Sequence, residues 1–283
     1  MRTLWSNSWL VMAFMLGAAP VAIAAPARMP RPGSLNSVQG QVKLNGHSAW
    51  PSQSEAVRMP EVIETRRGRA ELLLTPGSFL RIGDDSEARI VARSLANTTV
   101  KVARGTALLD ARADFKHDLT ILMDGTRTRI EKKGVYGFNA SQQTISVLGG
   151  KAKVYQGDSH VTLKGKRQLQ IASQTPLEIN RLNVRAFKSS SLYRWNKVRS
   201  KYESKAKKSV QEAIAQSGHW YGPGWYWSRF WGFYTYVPSP GGMYYYSPYY
   251  PYYGSYAGPA WGDWDGDGGW GWGGWGGDDD DGG

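Results

Sequence analysis

Residues 119–130 read LTILMDGTRTRI, and this stretch decides the fold class of the chain. Leu119, Ile121 and Met123 occupy every second position before Asp124-Gly125, and the alternation resumes after that dipeptide. Asp-Gly between two alternating runs is a strong local signal for a β-hairpin. Because side chains alternate between the two faces of a strand, the stretch predicts an antiparallel pair with one face in a core.

The same alternation extends in both directions from this hairpin, through residues 37–184. The further alternating runs, separated by turn residues, are Val38–Leu44, Ala70–Leu74, Phe79–Ile82, Ala88–Ala92, Val100–Val102, Ala107–Leu109, Val135–Phe138, Ile145–Val147, Ala152–Val154, Val161–Leu163 and Leu169–Ile171. This spacing predicts an all-β fold, an antiparallel sandwich or roll of about 10–13 short strands. Lys and Arg fall mainly at outward positions, which predicts a solvated basic face.

A different periodicity follows the strands, over residues 189–217. Apolar side chains recur there every three or four residues, at Leu192, Trp195, Val198, Tyr202, Ala206, Val210 and Ile214. This spacing predicts one amphipathic helix. Its opposite face would carry Lys197, Arg199, Lys201, Lys205, Lys207 and Lys208. Such a helix could lie on an anionic membrane, but we expect Leu192, Trp195 and Tyr202 to dock on the β domain.

The amino end has the composition of an export signal. Arg2 precedes an apolar run from Trp9 to Ala19, and Ala22-Ile23-Ala24 has the small-x-small pattern that signal peptidase accepts. The run is shorter than the ~20 residues that a spanning helix needs. We expect a signal peptide over 1–24, cleaved after Ala24, then a linker over 25–36. The mature protein would be periplasmic, at the cell surface or secreted; an uncleaved anchor is the alternative.

Charge and cysteine content narrow the class of partner. Residues 1–208 hold 34 Lys and Arg against 15 acids, whereas residues 209–283 hold one Arg against eight acids. A basic body predicts attraction to an envelope protein, an anionic polysaccharide or a lipid surface. The cations are spread along strands rather than clustered with aromatic residues, so we expect no nucleic-acid partner. The chain has no Cys and therefore no disulfide.

The last region, 218–283, is an aromatic and Gly-rich tail of low complexity with an acidic end. It holds nine of the 13 Trp and 12 of the 16 Tyr. Gly and Pro at this density oppose long regular elements, so we expect an irregular tail whose first part, about 219–250, packs on the domain. Because aromatic rings offer stacking contacts, the candidate binding residues are Trp220, Trp225, Trp227, Trp231 and Tyr234.

The residues offer no recognisable catalytic or cofactor site. The four histidines lie in separate segments, and no nucleophile elbow, P-loop or dinucleotide pattern occurs. Asp263, Asp265 and Asp267 match the first half of a calcium loop, but Gly274 stands where that loop needs a bidentate acid. We predict no enzyme and no cofactor. The three aspartates are the one metal candidate, and a solubilising acidic end is the preferred interpretation.

Four segments of the β region together resemble the FecR domain, the periplasmic module of the ferric-citrate-type regulator family. They are, in chain order, Leu74–Arg81 with Ser86, Val102–Ala107, Gly134–Phe138 and Val147–Val154. Their order and spacing fit the family across about 65–172. The resemblance implies an all-β periplasmic domain that binds or senses through its surface and carries no catalytic residues.

Two departures from the family pattern shape the functional prediction. An export signal stands where the family usually has a cytoplasmic segment and a spanning helix, so we expect no direct contact with a sigma factor. Pro76 runs directly into Gly77, without the Asp of the family. We predict a non-catalytic, stand-alone exported module that binds or senses through its β domain. The alternative is a structural or adhesive envelope component that self-associates, or binds polysaccharide, through its tail.

Overall fold

The computed structural model describes residues 30–49, 61–94, 96–112, 118–171, 177–217, 224–228 and 230–238. These residues form seventeen strands and two helices. The strands are β1 (Ser34–Leu44), β2 (His47–Ser48), β3 (Val62–Leu73), β4 (Ser78–Ile82), β5 (Glu87–Arg93), β6 (Asn97–Arg104), β7 (Thr106–Ala111), β8 (Asp118–Met123), β9 (Thr126–Ile130), β10 (Gly134–Asn139), β11 (Thr144–Gly149), β12 (Lys151–Gln156), β13 (Ser159–Lys164), β14 (Arg167–Gln170), β15 (Glu178–Arg181), β16 (Gly224–Ser228) and β17 (Phe233–Val237). The helices, α1 (Val184–Ser189) and α2 (Ser191–Ser217), lie between β15 and β16 in the chain.

The first fifteen strands form one sheet that divides into two wings. β1 and β3 make a long antiparallel ribbon; the carboxyl half of β3 also pairs with β4, and its amino half pairs with β5. Wing A continues from β4 through β7, β10, β11 and β14 to β15, whereas wing B continues from β5 through β6, β8, β9 and β12 to β13. Neighbouring strands pair antiparallel except β6 and β8, which are parallel.

The two wings enclose one apolar core. Their inward side chains meet in a single cluster, to which wing A contributes Leu80, Leu109 and Phe138 and wing B contributes Val100 and Ile121. None of these five side chains is more than 2% exposed. Because burial contributes roughly 25 cal/mol per Å² of apolar surface, this cluster is the main source of stability.

Glycine corners let the chain pass from one wing to the other. Gly105, with φ of 75°, separates β6 from β7, and Gly150, with φ of 100°, separates β11 from β12. A Cβ on Gly105 would lie 2.2 Å from the Ser86 Oγ, and one on Gly150 would lie 2.2 Å from the Tyr136 hydroxyl. Only glycine fits both the backbone angle and the space. All four residues belong to the FecR-like segments, so these segments build the corners.

The outer faces of the two wings have different surroundings. On wing A, Leu108 of β7 packs against Leu192 and Trp195 of α2. The β16–β17 hairpin covers the adjoining part of β3 and β4, where Tyr234 packs on Phe79. Within the described chain, no element covers the outer face of β9, β12 and β13 in wing B. Wing A therefore lies between the core and the helix, and wing B separates the core from solvent.

The structure confirms the all-β prediction with one long helix. The strands outnumber the predicted ten to thirteen because alternating segments break at the corners and because β16 and β17 form a hairpin in the region predicted to be irregular. β1 begins at Ser34, inside the predicted linker 25–36. Within the described residues, no helix combines the length and the apolar character that crossing a bilayer requires.

Candidate binding surface and buried ion network

A buried ion network joins the sheet to helix α2. It consists of three arginines and three acids, namely Glu71, Arg81, Asp110, Arg112, Arg199 and Glu203. The first four lie on or next to β3, β4 and β7, and the last two lie on α2. Because positive and negative side chains are equal in number, the network as a whole is neutral when every member is charged.

Arg81 lies at the centre of the network and is 0% exposed. Its guanidinium donates hydrogen bonds to Glu71 Oε2 at 2.8 Å, Asp110 Oδ2 at 3.0 Å and Glu203 Oε1 at 2.8 Å. It also donates to Asn196 Oδ1 of α2. Because taking an ion out of water costs several kcal/mol, a buried arginine is tolerated only with partners of this kind.

Two further arginines complete the network. Arg199 Nη2 donates to Glu71 Oε1 at 2.6 Å, and Arg112 Nη2 donates to Asp110 Oδ2 at 2.7 Å. Arg112 Nη2 also lies 2.7 Å from Glu203 Oε2, at an angle that leaves this oxygen without a hydrogen bond among the described residues. Charge-assisted hydrogen bonds of this kind are roughly twice as strong as neutral ones, and they hold α2 to the sheet.

The two glutamates have opposite pKa shifts. Burial alone would raise the pKa of Glu71, but Arg199 and Arg81 outweigh burial and hold that pKa well below its ordinary value. Burial, together with the negative charge of Glu71, raises the pKa of Glu203 to about 8. Glu203 is therefore the carboxyl of this pair that holds a proton near neutral pH.

The middle of α2 faces the sheet with polar side chains, contrary to the predicted apolar stripe. Val198 and Tyr202 belong to that stripe, yet they are 47% and 40% exposed. Arg199 was predicted to face water and is buried. The physical reason is the charge on the sheet beneath, where Glu71 and Arg81 require charged partners from the helix.

Both ends of α2 are apolar, as predicted. Leu192 and Trp195 pack on the sheet near the start of the helix, which confirms their predicted docking on the β domain. Near the other end, Val210 and Ile214 pack on Val237 of β17. The helix thus has an apolar contact at each end and the ion network between them.

The hairpin encloses the network from the side of β1. Asn36 Nδ2 donates to Glu71 Oε1 at 2.8 Å and to the Tyr234 carbonyl oxygen at 3.1 Å, and the Tyr234 amide donates to Asn36 Oδ1 at 2.8 Å. Thr235 Oγ1 donates to the Glu203 carbonyl oxygen at 3.0 Å. Residues 224–228 and 230–238 of the tail therefore pack on the domain, as predicted for its first part.

The predicted aromatic binding residues lie in this hairpin or outside the described residues. Tyr234 is 3% exposed, and the Trp227 ring contacts it with centroids 5.0 Å apart. Trp225 meets the ring of Phe79 edge-on at 5.3 Å, and Trp231 stacks on a tyrosine of α2 at 5.4 Å. These four rings attach the hairpin to the domain, and a binding role for them stays a prediction. Trp220, Asp263, Asp265 and Asp267 lie outside the described residues.

Sequence reasoning did not single out the ion network. The available signal was a charged residue at an outward position on each of three strands, Glu71, Arg81 and Asp110, between buried apolar neighbours. Among the described residues, no three His, Asp or Glu side chains are grouped as metal ligands would be. The network serves to position α2, and its charges are satisfied internally rather than presented to a ligand.

A second candidate site is the outer face of wing B, which we call the basic face. Its members point away from the core and are Lys101, Arg127, Arg129, Lys153, Tyr155 and His160. Strand register places Arg127 opposite Tyr155, which in turn is opposite His160, and places Arg129 opposite Lys153. The predicted solvated basic face is therefore present on this wing.

Cations and rings are in contact on the basic face. The Arg127 guanidinium lies 4.3 Å from the Tyr155 ring centroid, and Lys153 Nζ lies 5.3 Å from it. The rings of Tyr155 and His160 have centroids 5.7 Å apart. Cation–π contacts at exposed sites contribute about 0.5–1 kcal/mol each. They hold Arg127 and Lys153 over a ring and leave their donor groups available to an outside acceptor.

Acids neutralise only part of the basic face. Arg129 pairs with Asp118 at 2.6 Å, and both side chains are about half exposed (53% and 54%). Among the described residues, Arg127, Lys153 and Lys101 make no ion pair. The face therefore keeps a positive charge next to two accessible rings, which suits an anionic polymer better than a neutral one.

Comparison with known proteins adds a family match to this geometry. Residues 61–153 match the family model described as FecR protein, which confirms the resemblance for the segment from the start of β3 into β12. Two solved structures of a candidate anti-sigma factor from Parabacteroides distasonis ATCC 8503 are similar to the chain. One has 14% identity and a TM-score of 0.39 over 44% of this chain and 61% of that chain. The other has 13% identity and a TM-score of 0.40, over 45% and 62%. This chain thus spans about three fifths of each solved chain, and no curated protein matches it.

Proposed function

We propose that this chain, which carries a FecR domain at residues 61–153, is an exported, non-catalytic binding module. The basic face of wing B would be its binding surface, and an anionic polysaccharide of the cell envelope would be its ligand. The main support is the series of side-chain contacts on this face, in which the Tyr155 ring contacts Arg127, Lys153 and His160. Guanidinium and ammonium groups pair with carboxylates, and the accessible part of the half-buried Tyr155 ring offers an apolar contact for a sugar ring.

The distribution of cover over the two wings supports this choice of surface. On wing A, the charges of Glu71, Arg81 and Asp110 are buried under α2 and have partners within the network. The charges on wing B lie on an open sheet in the described chain, and Arg127 and Arg129 are both exposed. An extended polymer requires such an open surface rather than an enclosed cavity.

Retention of the protein on immobilised polygalacturonate tests the proposal. The full chain should bind at low ionic strength and elute as NaCl rises, because a Debye length of about 8 Å at 0.15 M screens exposed charges. Arg127→Gln/Lys153→Gln should lower the affinity about tenfold, the equivalent of two exposed charge contacts. Tyr155→Ala should weaken binding without changing its salt dependence, since this substitution removes a ring and no charge.

Arg66→Gln/Arg67→Gln is the matched control for the charge change. These two exposed arginines lie on β3, away from the basic face, and their loss changes net charge by the same amount. The control should bind as the wild type does. Equal loss of binding in both double variants would mean that total charge, and not the basic face, is responsible; retention on neutral dextran would argue against an anionic ligand.

Export and the absence of direct sigma-factor contact belong to the same proposal. The support is the sequence of residues 1–24, with its apolar run and its Ala22-Ile23-Ala24 pattern. Mass spectrometry of the protein recovered from its native cells should give a mature amino terminus at Ala25. Recovery of an intact Met1 terminus with the cytoplasmic fraction would contradict the export proposal.

The adhesive alternative makes a different prediction about the tail. If residues 239–283 carry the adhesion, then a chain without them should not be retained on polygalacturonate. The full-length Arg127→Gln/Lys153→Gln variant should then be retained as the wild type is. If the basic face carries the binding, then the two results are reversed. The two mechanisms are therefore separable in one set of columns.

A further inference from the structure

A small cleft of about 270 Å³ lies at the turn between β13 and β14, at the other end of β13 from His160 of the basic face. Gly165, Lys166, Arg167 and Arg181 line it. Three of these four residues are cationic, and none is an acid. Lys166 has a φ of 62°, and its carbonyl oxygen accepts a hydrogen bond from the Leu182 amide at 3.0 Å, which ties the turn to the chain after β15.

Strand register brings the two arginines directly opposite each other. Arg167 of β14 is paired with Arg181 of β15 on one side and with Val147 of β11 on the other. Directly opposed residues share a face of the sheet, and Val147 is 0% exposed in the core cluster. Both arginines therefore lie on the core-facing side of their strands, at the strand ends where the side chains reach solvent.

This arrangement of charge is unfavourable without an anion. Like charges directly opposite each other on a sheet are destabilising, and the Cβ atoms of such a pair are only about 5 Å apart. Among the described residues, Lys166, Arg167 and Arg181 make no ion pair, in contrast to the arginines of the buried network. Glu178, the acid on β15, lies at the other end of the strand pair, opposite Gln170.

We propose that this cleft binds a phosphate group, either as free phosphate or as a phosphomonoester of a larger molecule. Two guanidinium forks and one ammonium supply more positive charge than a single carboxylate can neutralise, whereas a phosphate dianion accepts hydrogen bonds from both forks at once. The volume exceeds that of one phosphate group and leaves space for an attached sugar or glycerol.

Isothermal titration of the full chain at low ionic strength, with inorganic phosphate, glucose 6-phosphate and acetate as separate probes, tests the site. We expect saturable binding of at least one phosphate probe and weaker binding of acetate. Arg167→Gln/Arg181→Gln should lower the phosphate affinity by about tenfold or more, the equivalent of one charge-assisted hydrogen bond. Thermal unfolding and circular dichroism check that this variant is folded, and phosphate should raise the wild-type Tm but not that of the variant.

The choice of probe separates the two sources of phosphate. Binding of inorganic phosphate alone identifies a free anion, and binding of glucose 6-phosphate identifies a phosphoryl group on a larger molecule. Arg66→Gln/Arg67→Gln again serves as the charge-matched control and should bind phosphate as the wild type does. The proposal is overturned if neither phosphate probe saturates, or if the control loses as much affinity as Arg167→Gln/Arg181→Gln. The two arginines would then only protect the exposed β15 edge against strand pairing. Because the polygalacturonate assay uses other residues, either proposal can fail without the other.

Discussion

At the scale of single residues, Arg81 makes the strongest prediction about stability. Arg81→Met would keep most of the side-chain volume but leave Glu71, Asp110 and Glu203 without their central cation. Breaking a buried pair by removing one partner costs about 3–5 kcal/mol, because an uncompensated charge remains in the interior. We expect a loss of that size in the free energy of unfolding, measured by urea denaturation.

Arg89→Met is the control for this substitution. Arg89 pairs with Glu87 at 2.7 Å, but its side chain is 56% exposed. Exposed pairs contribute about 0–1 kcal/mol, so this variant should unfold close to the wild-type urea midpoint. Equal losses in the two variants would show that the burial of Arg81 has no energetic consequence.

The two glutamates of the network predict how stability depends on pH. The folded-state pKa of Glu203 is raised to about 8, so its contribution is full at acidic pH and is lost as pH rises through about 8. The folded-state pKa of Glu71 is lowered, so its contribution is present near neutral pH and is lost as pH falls below its ordinary range. The free energy of unfolding should therefore decrease between about pH 5 and pH 9.

Amide substitutions separate the two carboxyls. Glu203→Gln imitates the protonated side chain, so at pH 7 it should cost less than about 1 kcal/mol and should flatten the decrease between about pH 5 and pH 8. Glu71→Gln removes a charge that two arginines require, and we expect a loss of about 3 kcal/mol at pH 7. Urea titrations between pH 5 and pH 9 measure both effects. A decrease between pH 5 and pH 8 that is as steep in Glu203→Gln as in the wild type would contradict the assignment.

At the scale of elements, we expect a substitution at the Gly150 corner to destabilise the fold, and Gly125 provides the matched control. Gly150→Ala places a Cβ on a residue with φ of 100° and 2.2 Å from the Tyr136 hydroxyl. Gly125→Ala, in the β8–β9 turn, has a φ of 73° with nothing within 4 Å of the added atom. A left-handed backbone alone costs about 1 kcal/mol. We expect Gly125→Ala to lose about that much and Gly150→Ala to lose clearly more, in thermal or urea unfolding. Equal losses would mean that the corner has room to relax.

The same elements show what the sequence could and could not predict. Period-two alternation separates inward from outward residues, so Leu109, Ile121 and Val154 were correctly placed in a core. Alternation carries no information about which outward face a later element will cover, because that contact joins residues more than a hundred positions apart. The pattern therefore gave no indication that Arg81 would be buried beneath α2, although Glu203 of α2 lies 2.8 Å from it.

The helix and the tail were predicted in part for the same reason. Three- and four-residue spacing correctly identified the helix and the buried ends at Leu192 and Ile214. It misplaced Arg199, because hydrophobic periodicity assumes that a charged side chain faces water. Composition gave no indication of the short β16–β17 pairing, because this pairing depends on the surface beneath it, where Phe79 contacts Trp225.

At the scale of the whole molecule, one shared core predicts that the two wings unfold together. Hydrogen–deuterium exchange with peptide resolution should show the slowest amides of β4 and β7 in wing A exchanging at the same free energy as those of β9 and β12 in wing B. Leu109→Ala in wing A should accelerate exchange in both wings by the same factor, since it destabilises the global folded state by about 2–5 kcal/mol. Acceleration confined to wing A would mean that the wings are separate cooperative units.

The parallel pairing of β6 with β8 affects how much of this chain would have to be moved to build the same fold in another protein. The strand between them, β7, belongs to the opposite wing, so neither layer is a contiguous piece of chain. The recurring segment 61–153 stops inside β12, before β13 to β15 close the layers and before α2 supplies Arg199 and Glu203. A graft of that segment alone would lack α2 and would therefore expose Glu71 and Arg81 to water. It would also end within β12, without the partner strand β13. The segment that matches the family model is thus shorter than the segment that a chimaera needs. A folded chimaera would need the span from β1 through β17.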